Sequence, residues 1–183
     1  MTVLYAGGRI FDGRGQMRDD HGVMVDGRQI QSVAPLAEFE GYQGARVDTS
    51  GATLLPGLID CHVHLVYEGE ANPSASMAQL APGQLVMRAL KNAQNTLAGG
   101  VTGLRDCGGK DFLEFAVRDA CNSGAQLGPT IMASGKVICM TGGHGNQNGR
   151  VADGVDDVIK AVREQIHAGS DLIKIMATGG VMT

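Results

Sequence analysis

No apolar run in the 183 residues extends beyond a handful of positions. Roughly 18–20 are needed to span a bilayer, so an integral membrane helix is excluded at the outset. No excess of one charge is present either: 15 Lys and Arg face 19 Asp and Glu, for a net charge of −4 with no block of like sign. That leaves no electrostatic footprint for nucleic acid or for an anionic membrane surface. Cysteine is scarce, and Cys61, Cys107, Cys121 and Cys139 are widely spaced with no CxxC pair. Reduced thiols are the expectation. The first fifteen residues carry Arg9 and Asp12 early and lack the charged-then-apolar layout of a secretory leader, so the expected address is the cytoplasm. Length is the last shortfall. A complete eight-stranded α/β barrel takes about 250 residues, and a whole one does not fit here.

What is present points to a packed core: 43% of residues are hydrophobic and 19% charged. The 28 glycines are not periodic, which excludes a collagen-like chain and favours many tight loops. Residues 1–56 read as part of a small β-rich domain. Val3-Leu4-Tyr5 is a short apolar run, and Asp26-Gly27 between Val23–Val25 and Ile30–Val33 is a hairpin signal. After Pro56 the pattern changes to alternating strands and helices. Strands are expected at Leu58–Leu65, Val101–Arg105, Thr130–Ser134 and Leu172–Ala177. Helices are expected from Pro82 to Ala98, through Phe112, Phe115, Ala116 and Ala120, and from an Asp153 cap along Val155, Val158, Ile159, Val162 and Ile166. Such alternation implies an α/β fold with parallel pairing.

Three stretches carry chemistry. In Asp60-Cys61-His62-Val63-His64, side chains alternate across the strand, so Asp60, His62 and His64 share one face and Cys61 turns away. Two imidazoles at i and i+2 can grip one metal ion, or merely hydrogen-bond at a polar strand end. Lys174 stands within the apolar run Leu172–Ala177, where a bare ammonium is costly. It is either paired with a carboxylate or takes on a new chemical identity. His144 lies among glycines in Thr141-Gly142-Gly143-His144-Gly145-Asn146, a loop that can approach a ligand closely or stay exposed. At the end of the second strand, Arg105 and Asp106 are also in reach of the site face and read as a local ion pair that shapes the strand end, with neither catalytic.

Together the runs Pro56–His64 and Lys174–Gly180 resemble the amidohydrolase superfamily, and within it the imidazolonepropionase-like and Xaa-Pro dipeptidase-like (prolidase-type) members. The resemblance covers essentially the whole chain. It implies that residues 57–183 are strands one to four of a (β/α)8 TIM-like barrel with a metal site at its mouth, preceded over residues 1–56 by a small β-sandwich-type domain. By matching position, His62 and His64 would hold one divalent metal. Lys174, carboxylated by carbon dioxide, would bridge two as a carbamate, which also resolves the cost of its burial. His144 would touch the substrate. Two zinc ions are implied, with manganese or another metal also suited to imidazole and carboxylate ligands. The activity implied is hydrolysis of an amide C–N bond in a small cyclic amide or a dipeptide such as Xaa-Pro, by metal-activated hydroxide.

The family takes two further histidines from strands five and six and an aspartate from strand eight, and none can be assigned within residues 1–183. The expectation is therefore the N-terminal half of an enzyme, its other half supplied by the same gene or a second chain. A homo-oligomer is expected when complete. Two other readings stay open: a non-catalytic binding or assembly module on the same fold, and a hydrolase of an ester, lactone or phosphoester.

Overall fold

The computed structural model describes residues 1–180. The chain divides into two compact units, Met1–Pro56 and Gly57–Thr183.

The first unit contains two small sheets. In one, β1 (Thr2–Ala6) lies between β4 (His21–Asp26), antiparallel to it, and β6 (Ala45–Asp48), parallel to it, with β5 (Gln29–Pro35) outside β4. The β4–β5 hairpin turns at Gly27, whose φ of 59° is a left-handed conformation that glycine adopts without a Cβ penalty. In the other sheet, β2 (Arg9–Phe11) pairs with β3 (Met17–Arg18) and β7 (Thr53–Leu54). Leu4, Ala34 and Phe39 form the buried core of this unit, Phe39 from a 3₁₀ turn over Leu36–Phe39.

The second unit is built on three parallel strands in sequence order: β8 (Leu58–Val63), β9 (Val101–Asp106) and β10 (Thr130–Ala133). Helices α2 (Pro82–Ala98) and α3 (Leu113–Asn122) make the crossovers. Pro82 opens α2 at a position where an N–H would have no helical partner, and Leu85, Ala89 and Ala93 form its buried stripe. These pack with Leu104, Phe115, Val117 and Ile131 into the main core. Leu85 is 1% exposed. Leu85→Ala should therefore cost about 2–5 kcal/mol of stability, read as a lowered denaturant midpoint at unchanged slope.

A short helix, α1 (Pro73–Ala78), is absent from the sequence reading. The Asn72 side chain caps it by accepting from Ala75 N at 3.1 Å, and Pro73 occupies its first turn. The long glycine-rich connection is also more ordered than its composition suggests. It holds the parallel pair β11 (Ile138–Cys139) and β12 (Arg150–Val151). Helix α4 (Val155–Ala168) follows.

Several expectations are corrected. Leu172–Ala177 is not a regular strand; it is an extended segment with a single parallel bridge, Ile175 to Ile138. The facing chain swings away between β10 and β11, where Gly135 has φ 71°, so the ladder is interrupted there. Backbone bonds flank the gap, from Asp171 N to Ala133 O at 3.0 Å and from Met176 N to Ile138 O at 2.8 Å. Asp153 does not cap α4, which begins at Gly154 without a side-chain cap. Its carboxylate accepts instead from the Thr141 backbone and hydroxyl. On α3 the buried face is Glu114, Phe115, Val117 and Cys121, and Ala116 is exposed. On α4 the buried pair is Ala161 and Gln165, while Val155, Ile159 and Ile166 are 76%, 43% and 60% exposed. A helix has one apolar stripe but its neighbours decide which part is covered, and here β11 covers only one flank.

Candidate active site

The end of β8 sets out the two histidines. His62 is the fifth residue of the strand, and His64 follows its last residue, Val63. The alternation that puts both on one side leaves their rings 5.4 Å apart, centroid to centroid. His62 is exposed and His64 half-buried. The His64 Nδ1 lies 2.8 Å from the Gly108 carbonyl oxygen. A carbonyl can only accept, so Nδ1 carries the proton and the Nε2 lone pair is left for another partner. An outer hydrogen bond of this kind commonly orients a metal-ligating imidazole.

His62 titrates below the ordinary histidine range. Partial burial is the main cause, and the neighbouring Lys174, His64 and Arg105 charges add to it. The neutral, ligating form of the ring is therefore favoured at neutral pH. Lys174 is thus near enough for its charge to act on His62. Among the described residues, no group of three or more His, Cys, Asp and Glu forms a metal cage. A further group whose charge reaches His62 is a half-buried lysine, Lys174. Two imidazoles, one with its outer nitrogen already bonded, beside an amine that carbon dioxide can convert to an anion, form a donor set that fits a divalent metal.

His144 joins His64 across a cleft also lined by Tyr67, Val137 and Met176. Its loop is held by backbone bonds from Gly143 N to Met140 O at 2.9 Å and from Gly149 N to Gly145 O at 2.9 Å. The Asn146 side chain also donates to Gly143 O at 2.7 Å. Gly180 backs onto the ring so closely that a Cβ there would stand 2.7 Å from His144 Cγ.

Arg105 and Asp106 do not form the expected ion pair. Neighbours on a strand point to opposite faces, and β9 sends Arg105 outward and Asp106 into the interior. Arg105 Nε donates to the Cys61 carbonyl at 2.6 Å. The fully buried Asp106 carboxylate accepts from Leu65 N at 2.9 Å and from Gly108 N at 2.8 Å. One side chain thus ties the residue after His64 to the glycine whose carbonyl orients His64. Burial pushes the Asp106 carboxyl above its usual range, with those two N–H groups acting in the opposite direction. Gly108 has φ 145°, and a Cβ there would meet Val137 at 2.5 Å, so both backbone and space require glycine. Tyr67, its ring 5.4 Å from that of His64, is raised mainly by burial and then by the Glu70 and Asp106 charges. The sequence reading places Asp106 within reach of the site face but assigns it to an ion pair with Arg105, and it misses Tyr67 and Gly108. The available signal was Asp106-Cys107-Gly108-Gly109, a strand end running into paired glycines.

Known proteins give the same direction. Ochratoxinase of Aspergillus niger is 29% identical over 211 aligned residues, an alignment covering 100% of this chain and 43% of that enzyme. The crystal structure of a Xaa-Pro dipeptidase with bound methionine in its active site superposes with a TM-score of 0.88 at 30% identity, covering 100% of this chain and 48% of that one. A prolidase complexed with N-methylphosphonate-L-proline gives 0.85 at 34% identity, with the same shares. The chain thus spans less than half the length of these relatives. The family model described as Amidohydrolase family matches residues 53–183, a span that contains the histidine pair, the lysine and strands β8 to β10. The chain belongs to the amidohydrolase family.

Proposed function

We propose that these residues are the N-terminal part of a metal-dependent hydrolase that cleaves an amide C–N bond in a small cyclic amide or a dipeptide such as Xaa-Pro. In this reading residues 57–183 are the first half of a (β/α)8 barrel. The carrying observation is the histidine pair itself: His64 has its outer nitrogen fixed on Gly108, and His62 is biased to its neutral form, in part by the Lys174 charge. His62 and His64 would hold one divalent ion, and Lys174, as a carbamate, would join it to a second. When bound, the metal would supply an acidified water and a polarised carbonyl. The chain's own residues bind and orient: Gly108 and Asp106 fix the His64 ring, and His144 faces the substrate side of the cleft.

Half-covered surfaces agree with a larger assembly. Leu58, Ile59, Met132 and Ile175 are 51%, 74%, 48% and 51% exposed although they lie on strands or the bridged segment. Parallel sheets are ordinarily covered on both faces. The complete enzyme would cover them with its remaining strands and helices. Four cysteines without a disulfide suit a reducing cytoplasm.

The test is metal content and hydrolysis of Xaa-Pro dipeptides by the protein expressed from its full reading frame. Two equivalents of metal and release of free proline are expected, with His62→Ala and His64→Ala losing metal. Metal-free protein with no hydrolysis would refute the proposal and favour a binding module. Cleavage of esters or lactones with no amide activity would move it to another substrate class.

A further inference from the structure

Glu114 is an acid in the first turn of α3, an ordinary place for a solvated carboxylate near the positive end of a helix. Here it is 0% exposed, and neither carboxyl oxygen has a hydrogen-bond partner among the described residues. A Cβ on Gly109 would overlap the carboxyl, so the β9–α3 turn lies directly against it. Gly109 N in turn donates to Gly135 O at 3.1 Å, which joins that turn to the loop after β10.

The charged groups that bear on Glu114 do not neutralise it. Arg118, one helical turn on, is committed to Asp119 at 2.8 Å and Asp171 at 3.0 Å and stacks 4.3 Å from the Phe115 ring centroid. Lys136, from the loop that Gly109 meets, is paired with Asp111 at 2.8 Å. The other buried carboxyl acting on it is Asp106, whose negative charge opposes ionisation of Glu114. Asp106 accepts two well-formed backbone N–H bonds, whereas the N–H groups of Glu114 itself and of Gly135 lie near the Glu114 carboxyl without reaching hydrogen-bond geometry and lower it only weakly, so of the two acids Glu114 is the one suited to keep its proton.

We infer that Glu114 is a neutral positioning residue: its protonated carboxyl fills the space behind the Gly108-Gly109 turn and keeps the Gly108 carbonyl on His64 Nδ1. Burial, with the Asp106 charge second, pushes the carboxyl from 4.5 up to about 8. An acid raised by folding binds a proton in the folded state that it lacks in the opened one. Stability of this region is then greatest at low pH, falls as pH rises from 4.5 to 8, and is level above that. The importance assigned to His64 rests on the metal-site reading; the titration of Glu114 does not.

The experiment is amide hydrogen exchange of the segment 106–112 between pH 5 and 9.5 in the intact protein, corrected for intrinsic rates, with zinc affinity measured in parallel. In the wild type, protection should fall by up to about tenfold per pH unit between about 5 and 8 and then level off. Glu114→Gln, isosteric and always neutral, should retain protection across the range and zinc affinity within about threefold. Glu114→Ala should lose protection at every pH and weaken zinc binding by about 10–100-fold, the usual effect of disturbing an outer partner. A pH profile of Glu114→Gln that parallels the wild type overturns the neutral acid. Unchanged zinc affinity in Glu114→Ala overturns the positioning role. Absence of zinc binding by the wild type overturns the metal site instead, and the exchange profiles still decide the protonation of Glu114.

Discussion

Lys174→Ala is expected to reduce amide hydrolysis by at least about a hundredfold in the protein expressed from its full reading frame, because changing a mere outer partner of a metal site already costs 10–100-fold. Metal content should fall from two equivalents toward one, and the fold should persist. Lys174 is only half-buried, and its segment is held by backbone bonds that the substitution leaves in place, Ile138 N to Lys174 O at 2.9 Å and Met176 N to Ile138 O at 2.8 Å. An alanine leaves a gap that acetate or formate can occupy, so a short carboxylate should restore part of the activity. A lysine that serves only as a charge partner gives a different pattern: no rescue and no metal loss. Full activity in Lys174→Ala without any added carboxylate would remove the carbamate from the mechanism.

The second large effect is structural. Asp106→Ala is expected to destabilise the protein by about 2–5 kcal/mol, measured by denaturant unfolding. The variant strands the N–H groups of Leu65 and Gly108 in the interior, and each unsatisfied group costs about 1–3 kcal/mol. Relief of the cost of burying a carboxylate works in the other direction and keeps the sum at the lower end of what two lost charge-assisted bonds imply. Asp106→Asn retains one acceptor and should lose about half as much. Because Gly108 also orients His64, the Ala variant should weaken metal binding along with stability. A neutral effect of Asp106→Ala on both would show that water replaces the carboxylate and that the β9 end does not hold the histidine.

The paired histidines, the lysine and the glycine-flanked His144 were legible because each is a local pattern: an i, i+2 spacing, a charge within an apolar run, a histidine between glycines. The hairpin at Gly27 and the stripe of α2 were legible for the same reason. Glu114 was not, and Asp106 was legible only as a strand-end acid, not as a buried one. An acid at a strand end and an acid in a first helical turn are ordinary solvent-facing residues in sequence, and only neighbours from distant segments make them interior. Leu65 lies 41 residues from Asp106, and the Gly135 loop reaches the Gly109 turn from the far side of α3. The exposed half of the α4 stripe has the same explanation: periodicity specifies an apolar face, and the packing partner specifies how much of it is covered.

By itself, then, the sequence determined an α/β chain with a β-rich beginning, no membrane-spanning helix and a histidine pair aimed from one strand. The tertiary structure decided which nitrogen of His64 is free, which acids lie inside, and that the segment bearing Lys174 is bridged at one residue and is not a full strand. Strand and helix periods are written in neighbouring residues. Hydrogen-bond partners and burial depend on segments far apart in the chain, which only the folded chain brings together.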